Sequence, residues 1–437
     1  AAQGVAASMI MGVVADDITG SNDIGIMFAK AGLLVHVYAF PGVESLAAPG
    51  AAAPDITILD TNSRLDPPDV AYDKVFAATR ALMAAGCTRF HNKTCSVFRG
   101  NIGVEFDAML DALGQEFAVV VLGFPKNGRQ TINGIHYVHG RKLEESEFRN
   151  DPVHPMRRSN LVEILQAQTR RSVGMIDYRT ISEGVSALRS ALNRARDQWN
   201  YVILDVVDQD ALATIARAVA DCSVLCGSSA IAEELPAAWD VQPSTHAGNP
   251  PPRVEGLGVL CAAGSLMPQT AAQIEHLRAR GVPAFELDPR GLFEPETREQ
   301  TIRDLFDRLT EALQSGADAL LHTARAPETV AAVRAEGARR GLSERESARQ
   351  VSVTLAEIVA QVIEQTGVNR LLVAGGETSN AVSQRLGIDG LRIWQEIQPG
   401  LPSCLSLGDT PLLLVLKSGS FGSAEFFEQA LDHLKAQ

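Results

Sequence analysis

The sequence predicts an α/β protein that consists of two α/β domains with mostly parallel sheets and an interdomain cleft. Short apolar runs alternate with segments of helical periodicity along nearly the whole chain, which is the pattern of parallel strands connected by helices. The length of 437 residues is well beyond the size at which one core usually stops growing. The segment 241–256, VQPSTHAGNPPPRVEG, has the composition of a linker. We therefore predict two domains, residues 1–245 and 246–437.

The first predicted domain opens with a buried strand at residues 9–14. Apolar residues from Ile24 onward then recur at helical spacing, and Ser21 or Asn22 is expected to cap this helix. A second helix is expected to begin with Asp66 as its cap. Further strands of this domain are predicted at residues 33–40, 56–59, 89–92, 118–122, 201–206 and 224–226.

The second predicted domain repeats the alternation after the linker. A helix is expected from Pro268, and a long helical region is expected to end at Thr366. Strands are predicted at residues 258–262, around 285, and at 319–322, 371–373 and 412–416. A cleft between two such domains commonly holds two substrates.

The composition narrows the class of partner and the compartment. The chain has 39 basic and 52 acidic residues, a formal net charge of -13, which argues against a nucleic-acid duplex or an anionic membrane as the main partner. No apolar stretch reaches the length of a membrane span, and the first residues lack the basic region of a secretory signal. The six cysteines form no CxxC pair. We therefore predict a cytoplasmic protein with small-molecule ligands, and a homo-oligomer is compatible with the sequence.

Two adjacent aspartates, Asp16 and Asp17, follow the first strand in the segment VVADDITGSND. In open α/β sheets, ligands bind beyond the carboxyl ends of the strands, so catalytic side chains are expected there. One alternative is that Asp16 or Asp17 only caps the next helix. Capping uses one side chain, and adjacent carboxylates repel each other, so a cap leaves half of the pair unexplained.

Two further strand ends of the first domain carry cations and hydroxyls, in the segments DTNSR and KTCSVFRGN. Arg64, Lys93 and Arg99 are candidates to neutralise a carboxylate. Ser63 and Ser96 are candidates to hydrogen-bond hydroxyl groups, while an aspartate accepts a proton. This mixture indicates a small polyhydroxylated acid as the ligand.

The glycine-rich segment 123–140 carries Lys126, Arg129, His136 and His139. We interpret it as a structural loop with solvated charges. Two histidines without a third ligand do not make a metal site, so no metal ligand is assigned.

Glycine and hydroxyl residues dominate three strand ends of the second domain, in the segments AAGSLMPQT, AGGETSN and LKSGSFGS. Each is expected to expose backbone N–H groups at a helix N-terminus, where phosphate oxygens bind favourably. Neither the dinucleotide fingerprint GxGxxG nor a Walker A loop occurs at these places. Three such loops on one sheet indicate a nucleotide.

Taken in order, these motifs resemble the four-carbon acid sugar kinases, whose members phosphorylate threonate, erythronate or 3-oxo-tetronate with ATP. The resemblance covers nearly the whole chain: ADDITGSND, DTNSR, KTCSVFRGNIG, NGRQTINGIHYVHG, the GS at 264–265, AGGETS and KSGSFG. In that family the N-terminal domain binds the acid sugar and the C-terminal domain binds ATP. This division matches the one drawn from the chemistry of the strand ends.

The resemblance implies a set of site residues. The implied acid-sugar contacts are Asp16, Asp17, Ser63, Arg64, Lys93, Ser96, Arg99 and Gly100. The implied nucleotide contacts are Ser265, Gly375, Gly376, Glu377, Thr378 and Gly419. The chain departs from the family at Val97, where members often have a second hydroxyl, and at Ser420, where they often have asparagine. A hydroxyl lost beside the substrate bears on which acid is accepted.

The expected reaction is transfer of the γ-phosphoryl group of ATP to the 4-hydroxyl of a four-carbon sugar acid, with Mg2+ bridging phosphate oxygens. D-threonate is the first expectation, with D-erythronate and 3-oxo-tetronate as alternatives. Asp17 is predicted as the base and Asp16 as the residue that orients substrate or metal. Two alternatives stay open from the sequence: a non-catalytic sensor of sugar acid or nucleotide, and an NAD-linked dehydrogenase, against which the missing GxGxxG counts.

Overall fold

The computed structural model describes residues 10–40, 53–151, 153–241 and 249–437. The chain divides into two compact units, residues 1–246 and 247–437. The predicted boundary at 245/246 lies outside the described residues, as do residues 242–248 of the predicted linker. No helix in the described ranges is long and apolar enough to cross a membrane.

The first unit is built on eight parallel strands in the order β2-β3-β1-β4-β11-β5-β10-β9. The strands of this unit are β1 Met11–Ala15, β2 Val35–Ala39, β3 Ile56–Asp60, β4 Phe90–Lys93, β5 Ala118–Val121, β6 Arg129–Ile132, β7 Ile135–Val138, β8 Arg141–Lys142, β9 Val173–Ile176, β10 Tyr201–Leu204 and β11 Val224–Gly227. The central strands are buried along their whole length, as expected when helices cover both faces of a parallel sheet.

Eight helices connect these strands. They are α1 Ile18–Ala29, α2 Pro68–Ala84, α3 Ile102–Leu113, α4 Leu161–Gln166, α5 Tyr178–Ser182, α6 Val185–Arg196, α7 Gln209–Val219 and α8 Ile231–Ala238. The predicted cap of α1 is wrong: the helix begins six residues before Ile24, and Asp17 caps it. The polar residues of its first two turns are buried, so helical apolar spacing is hidden there. Asp66 does not cap α2 either, whose N-cap is Pro67 without a side-chain bond.

The segment 123–140 is more regular than a loop. It forms β6 and β7, which pair with β8 into a separate antiparallel sheet. His136 lies inside this sheet, fully buried, with one ring nitrogen 3.0 Å from Thr131 Oγ1 and the other 2.8 Å from the Ser96 carbonyl. The residue therefore has a structural role rather than that of a solvated charge.

The second unit has seven strands in the order β13-β14-β12-β15-β18-β17-β16. The strands are β12 Leu260–Ala263, β13 Ala284–Leu287, β14 Ala319–Thr323, β15 Arg370–Ala374, β16 Gly390–Gln398, β17 Leu401–Ser406 and β18 Leu413–Lys417, and the helices are α9 Pro268–Ala279, α10 Pro295–Gln314, α11 Pro327–Arg339, α12 Glu344–Thr366, α13 Gly376–Arg385 and α14 Phe426–Ala436. The first five strands in that order are parallel, and the hairpin of β16 and β17 is antiparallel. The predicted fold class of two α/β domains with mostly parallel sheets is confirmed.

Candidate functional site

The ends of three neighbouring strands bring the predicted acid-site segments together in the first unit. Strand β1 lies between β3 and β4, and Ala15 is in register with both Asp60 and Lys93. Because the strands are parallel, the residues that follow them leave the sheet at the same edge. The segments that begin at Asp16, Asp60 and Lys93 therefore form one cluster.

Arg64 holds the two adjacent aspartates. Its Nε and Nη2 each donate to a carboxylate oxygen of Asp16 at 2.8 Å, and its Nη1 lies 2.8 Å from Asp17 Oδ2. Asp16 is 1% exposed and Asp17 is 9% exposed. Burial by itself lowers the pKa of Arg64, but the two carboxylates raise that pKa well above its usual value. The guanidinium thus offsets the repulsion between neighbouring carboxylates and is already engaged within the chain.

Asp17 has a second role as the N-cap of α1. Its Oδ1 accepts the Gly20 N–H at 2.7 Å, and its Oδ2 accepts the Thr19 hydroxyl at 3.0 Å. Burial raises the pKa of Asp17, but Arg64 and Lys93 lower it more, and the net pKa is below its usual value. Asp17 therefore caps α1 and also pairs with Arg64, while Asp16 pairs with Arg64 through both of its carboxylate oxygens.

Ser63 and Gly100 each lie in close contact with another residue of this cluster. The Ser63 hydroxyl is fully buried and donates to Glu105 Oε1 at 2.7 Å. Burial raises the pKa of Glu105 well above its usual value. Gly100 has φ +111°, and a Cβ there would lie 3.0 Å from Arg64 Cγ, so a side chain at this position would push the guanidinium out of place.

Arg99 is the second arginine of the predicted set. Its Nη1 donates to Asp151 Oδ2 at 2.8 Å, its Nε donates to Cys95 Sγ at 3.3 Å, and the guanidinium lies 5.1 Å from the centre of the Phe148 ring. Burial raises the pKa of Cys95, but Arg99 and Arg64 lower it more, to a net value below the usual one. Ser96, which is 5% exposed, lies in the same segment.

Asn22 and Asp23 belong to this cluster, although the sequence analysis assigned them no site role. Asp23 is 3% exposed, with Oδ2 3.5 Å from Lys93 Nζ, and within the described residues its Oδ1 has no hydrogen-bond partner. Burial raises the pKa of Asp23 to about 6, although Lys93 opposes the shift. Neither side-chain atom of Asn22 has a partner among the described residues. The signal in the sequence was the polar run TGSND placed directly after the strand.

The three predicted phosphate loops lie side by side in the second unit. Strands β12, β15 and β18 are neighbours and parallel. The Gly264 N–H donates to the Ala374 carbonyl at 3.0 Å, and the Gly375 N–H donates to the Lys417 carbonyl at 2.8 Å. The loops after these strands therefore leave the sheet together, as the sequence predicts.

Two of the predicted glycines are required by close packing around Ser265. Gly375 has φ +112°, and a Cβ there would lie 3.1 Å from the Ser265 N. A Cβ on Gly419 would lie 2.1 Å from Ser265 Oγ. A side chain at Gly375 is therefore disfavoured by the positive φ, and a side chain at Gly419 would require the Ser265 hydroxyl or the loop to shift.

The helix that follows the second loop has an open N-terminus. Helix α13 begins at Gly376, and its N-cap, Gly375, makes no side-chain hydrogen bond. Its first turn contains Glu377, which is exposed, and Thr378, which is 2% exposed. The dipole of the helix favours an anion at this place.

Lys417 is a buried cation at the same edge that the sequence analysis did not assign. Its side chain is fully buried, and its Nζ donates to the carbonyls of Ser418 and Gly419 at 2.6 and 3.1 Å and to Thr270 Oγ1 at 3.2 Å. A lysine directly before SGSFG was the signal available in the sequence.

No metal ligands can be assigned to the protein itself. Within the described ranges, no group of three histidine, cysteine, aspartate or glutamate side chains is placed to hold a metal ion.

Comparison with known proteins adds to this geometry. A family model described as a sugar-binding N-terminal domain matches residues 11–235, and one described as a nucleotide-binding C-terminal domain matches residues 260–427. The 3-oxo-tetronate kinase of Pseudomonas fluorescens is 34% identical over 97% of this chain and 97% of its own length. The chain belongs to the four-carbon acid sugar kinase family. The resemblance drawn from the motifs, and with it the prediction of an acid sugar kinase, is confirmed.

Other known proteins are similar to this chain over nearly its full length. The 3-oxo-tetronate kinase of Haemophilus influenzae is 31% identical over 96% of this chain and 99% of its own length. A crystal structure of a Salmonella typhimurium LT2 protein described as a tRNA synthase has a TM-score of 0.80 at 30% identity and covers 97% of this chain and 98% of its own. A crystal structure from Haemophilus influenzae has a TM-score of 0.71 at 30% identity, over 97% and 100% of the two chains. The family thus shares the whole two-unit architecture.

Proposed function

We propose that this acid sugar kinase transfers the γ-phosphoryl group of ATP to the 4-hydroxyl of a four-carbon sugar acid. The observation that carries the proposal is the difference between the two strand-end clusters: charged side chains crowd the first, and glycine loops with an open helix terminus form the second. The first arrangement suits a small polar acid, and the second suits a polyphosphate. A cytoplasmic location goes with this proposal, since all six cysteines are free thiols.

The motifs predict D-threonate, whereas the curated relatives carry the name 3-oxo-tetronate kinase. We therefore propose 3-oxo-tetronate as the preferred acceptor and D-threonate and D-erythronate as its competitors. These acids differ by one stereocentre or one oxidation level, which a pocket of hydrogen-bonding groups discriminates strongly. Val97 stands where members of the family often have a hydroxyl residue, and it is fully buried beside Ser96 in the chain. It is therefore the first residue to mutate in a test of substrate preference.

The proposed roles follow the contacts. Lys93 and Arg99 supply positive charge for the substrate carboxylate, while Arg64 is committed to the aspartates. The residues of the glycine loops, Ser265 and Gly375 to Thr378 with Gly419, hold the phosphates of Mg·ATP. Phosphoryl transfer depends mainly on alignment and charge neutralisation, so a weak base suffices for the acceptor proton.

Two carboxylates compete for the role of proton acceptor. Asp17, the residue predicted from the sequence, is a cap whose pKa lies below its usual value. Asp23 has an oxygen without a partner in the described part of the chain and a pKa raised to about 6, which makes it the better acceptor near neutral pH.

A coupled assay for ADP release tests the function, with Mg·ATP and a panel of the three acids. We expect ADP to form at the highest kcat/KM with 3-oxo-tetronate. Asp17→Asn and Asp23→Asn, measured in parallel, separate the two proton acceptors, because the true one loses about 100-fold or more in kcat with little change in KM. Asp177→Asn alters another helix N-cap and serves as the control. If no ADP formed with any of the acids, the kinase proposal would be contradicted and a non-catalytic sensor of sugar acid or nucleotide would be favoured.

A further inference from the structure

Lys417 is a buried cation to which the protein supplies no anion. It ends strand β18 and is fully buried. Throughout the described residues, no carboxylate oxygen lies within 4.0 Å of its Nζ, although such pairs occur for many other lysines and arginines of the chain, Lys93 included. An isolated charge in a protein interior is unfavourable unless something compensates it.

The hydrogen bonds of Lys417 require its charged form. The Thr270 hydroxyl donates to the Gly419 carbonyl at 2.9 Å, so it accepts, rather than donates, in its contact with Nζ. The other two partners of Nζ are the carbonyls of Ser418 and Gly419, which only accept. Three acceptors need three N–H donors, and only the ammonium group has three.

No other charged group of the neighbouring elements compensates Lys417. Helix α9, which contributes Thr270, has three titratable side chains, and each is engaged elsewhere: Glu275 pairs with Arg325, His276 with Glu428, and Arg278 with His322. Arg370 is at the far end of the adjacent strand β15, in register with Leu413. On α13 Glu377 and Arg385 are exposed, and on β17 Cys404 is a buried thiol. On α14 Glu428 pairs with His276, Asp432 with Lys435, and His433 with Ser403.

The remaining cause is therefore burial alone, which lowers the pKa of Lys417 to about 7. Near neutral pH the ammonium and amine forms coexist. Only the ammonium form has enough N–H groups for all the acceptors around it, which include the Gly419 carbonyl in the turn that packs against Ser265.

We propose that Lys417 is a positioning residue of the nucleotide site, whose charge is matched by the phosphates of a bound nucleotide, so that nucleotide binding is coupled to protonation of Lys417. The proposal rests on the proposed function, which places a polyphosphate on the same loops. The lysine binds the loop through the carbonyls of Ser418 and Gly419, so its position fixes the path of the loop backbone. A polyphosphate above the turn supplies the anion that the fold omits, and binding then takes one proton from solution.

Titration calorimetry of the full chain with Mg·ADP tests the coupling. At pH 8 the nucleotide phosphates hold no proton of their own, since the phosphate pKa is about 6. The heat of binding, compared between two buffers of different ionisation enthalpy, gives the number of protons taken up. We expect close to one proton at pH 8 and close to none at pH 6, and Kd rising about tenfold between pH 8 and pH 9.

The variants Lys417→Met and Lys435→Met complete the experiment. Lys435 pairs with Asp318 on a solvent-exposed helix face, so its variant should keep the full proton uptake. The Lys417→Met protein should bind Mg·ADP more weakly and without proton uptake at either pH. If that variant does not fold, the pH comparison on the unmodified chain still decides.

Each outcome is informative. Binding of Mg·ADP by the unmodified chain at pH 8 without proton uptake would overturn the role of Lys417 and leave the proposed kinase function in place. Uptake that persists in Lys417→Met would also overturn it. Failure of the unmodified chain to bind Mg·ADP at any pH would instead remove the proposed nucleotide site, and the inference with it.

Discussion

Both units bury a lysine at the end of a central parallel strand, but only one of the two lysines has an acid beside it. Lys93 at the end of β4 is 3.5 Å from Asp23, in a cluster where Arg64 also binds two aspartates. Lys417 at the end of β18 donates, among the described residues, to a hydroxyl and two carbonyls and forms no ion pair with a carboxylate. A lysine at the same topological position thus lies in a different electrostatic environment in each unit.

The difference explains how the two clusters would treat their ligands. In the first unit Arg64 and Lys93 are already paired with aspartates, so an acid bound beside them would compete with existing ion pairs. In the second unit, no carboxylate oxygen of the described residues lies within 4.0 Å of Lys417 Nζ, so an anion bound there would meet a cation that the chain itself leaves uncompensated.

The largest expected effect comes from replacing Arg64, the cation that pairs with Asp16 and Asp17 in the first unit. Arg64→Met leaves Asp16 and Asp17 buried without their shared partner, and we expect the free energy of unfolding to fall by about 3–5 kcal/mol. Chemical denaturation monitored by circular dichroism measures the loss. Arg290→Met, which removes an exposed ion pair with Asp288, should leave the free energy of unfolding nearly unchanged. Equal losses in the two variants would mean that Arg64 is not the compensating charge.

The second largest expected effect comes from Asp60, a buried acid of the first unit whose negative charge is not fully neutralised by its neighbours. Asp60 is 4% exposed, and burial, reinforced by Asp17 and Asp16, raises its pKa to about 7. A carboxyl with a raised folded-state pKa contributes stability below its unfolded pKa near 3.8 and loses it as pH rises towards 7. Asn cannot titrate and keeps an oxygen for the Asn62 N–H that Asp60 accepts.

Asp60→Asn should therefore stabilise the protein increasingly as the pH rises. Between pH 5 and pH 8 the gain over the unmodified chain should grow by about 2–3 kcal/mol. Thermal unfolding across that range measures it. Asp288→Asn is the control, because Arg290 lowers the pKa of Asp288 and no such gain is expected. A gain independent of pH would show that Asp60 does not titrate in this window.

The smallest expected effect concerns packing rather than charge in the second unit. Gly419→Ala places a Cβ 2.1 Å from Ser265 Oγ and should weaken Mg·ADP binding by about 10- to 100-fold through displacement of the loop. Ser265→Ala in the same chain removes that oxygen, so the double variant should recover part of the loss. Additive losses would indicate that Gly419 acts on its own, without its contact with Ser265.

The parallel α/β architecture and the location of both clusters were predictable from the sequence. Parallel strands are buried on both faces and read as short apolar runs, and ligands bind where such strands end. The hairpin of β16 and β17 was missed, because its alternating residues lie outside the strand–helix repeat. The sheet containing His136 was interpreted as a loop because its glycines suggested turns alone.

Within the candidate site, the sequence located residues but not their partners. Arg64, the partner of both Asp16 and Asp17, lies 48 positions after Asp16 in the chain, so the pairing could not be read from the sequence. The site assignments themselves stay predictions, since the geometry shows what each side chain contacts within the protein. Asn22, Asp23 and Lys417 escaped notice because their burial, which gives them significance, is a property of packing.

The sequence by itself determined the fold class, the family and the segments that carry the chemistry, because periodicity and motif order are local properties of the chain. Only the tertiary structure decided which charges neutralise each other. Electrostatic compensation depends on distances of a few ångströms between residues that are far apart in the chain and on the removal of water around them. That is why two lysines at equivalent strand ends differ in their surroundings while their neighbouring sequences give no sign of it.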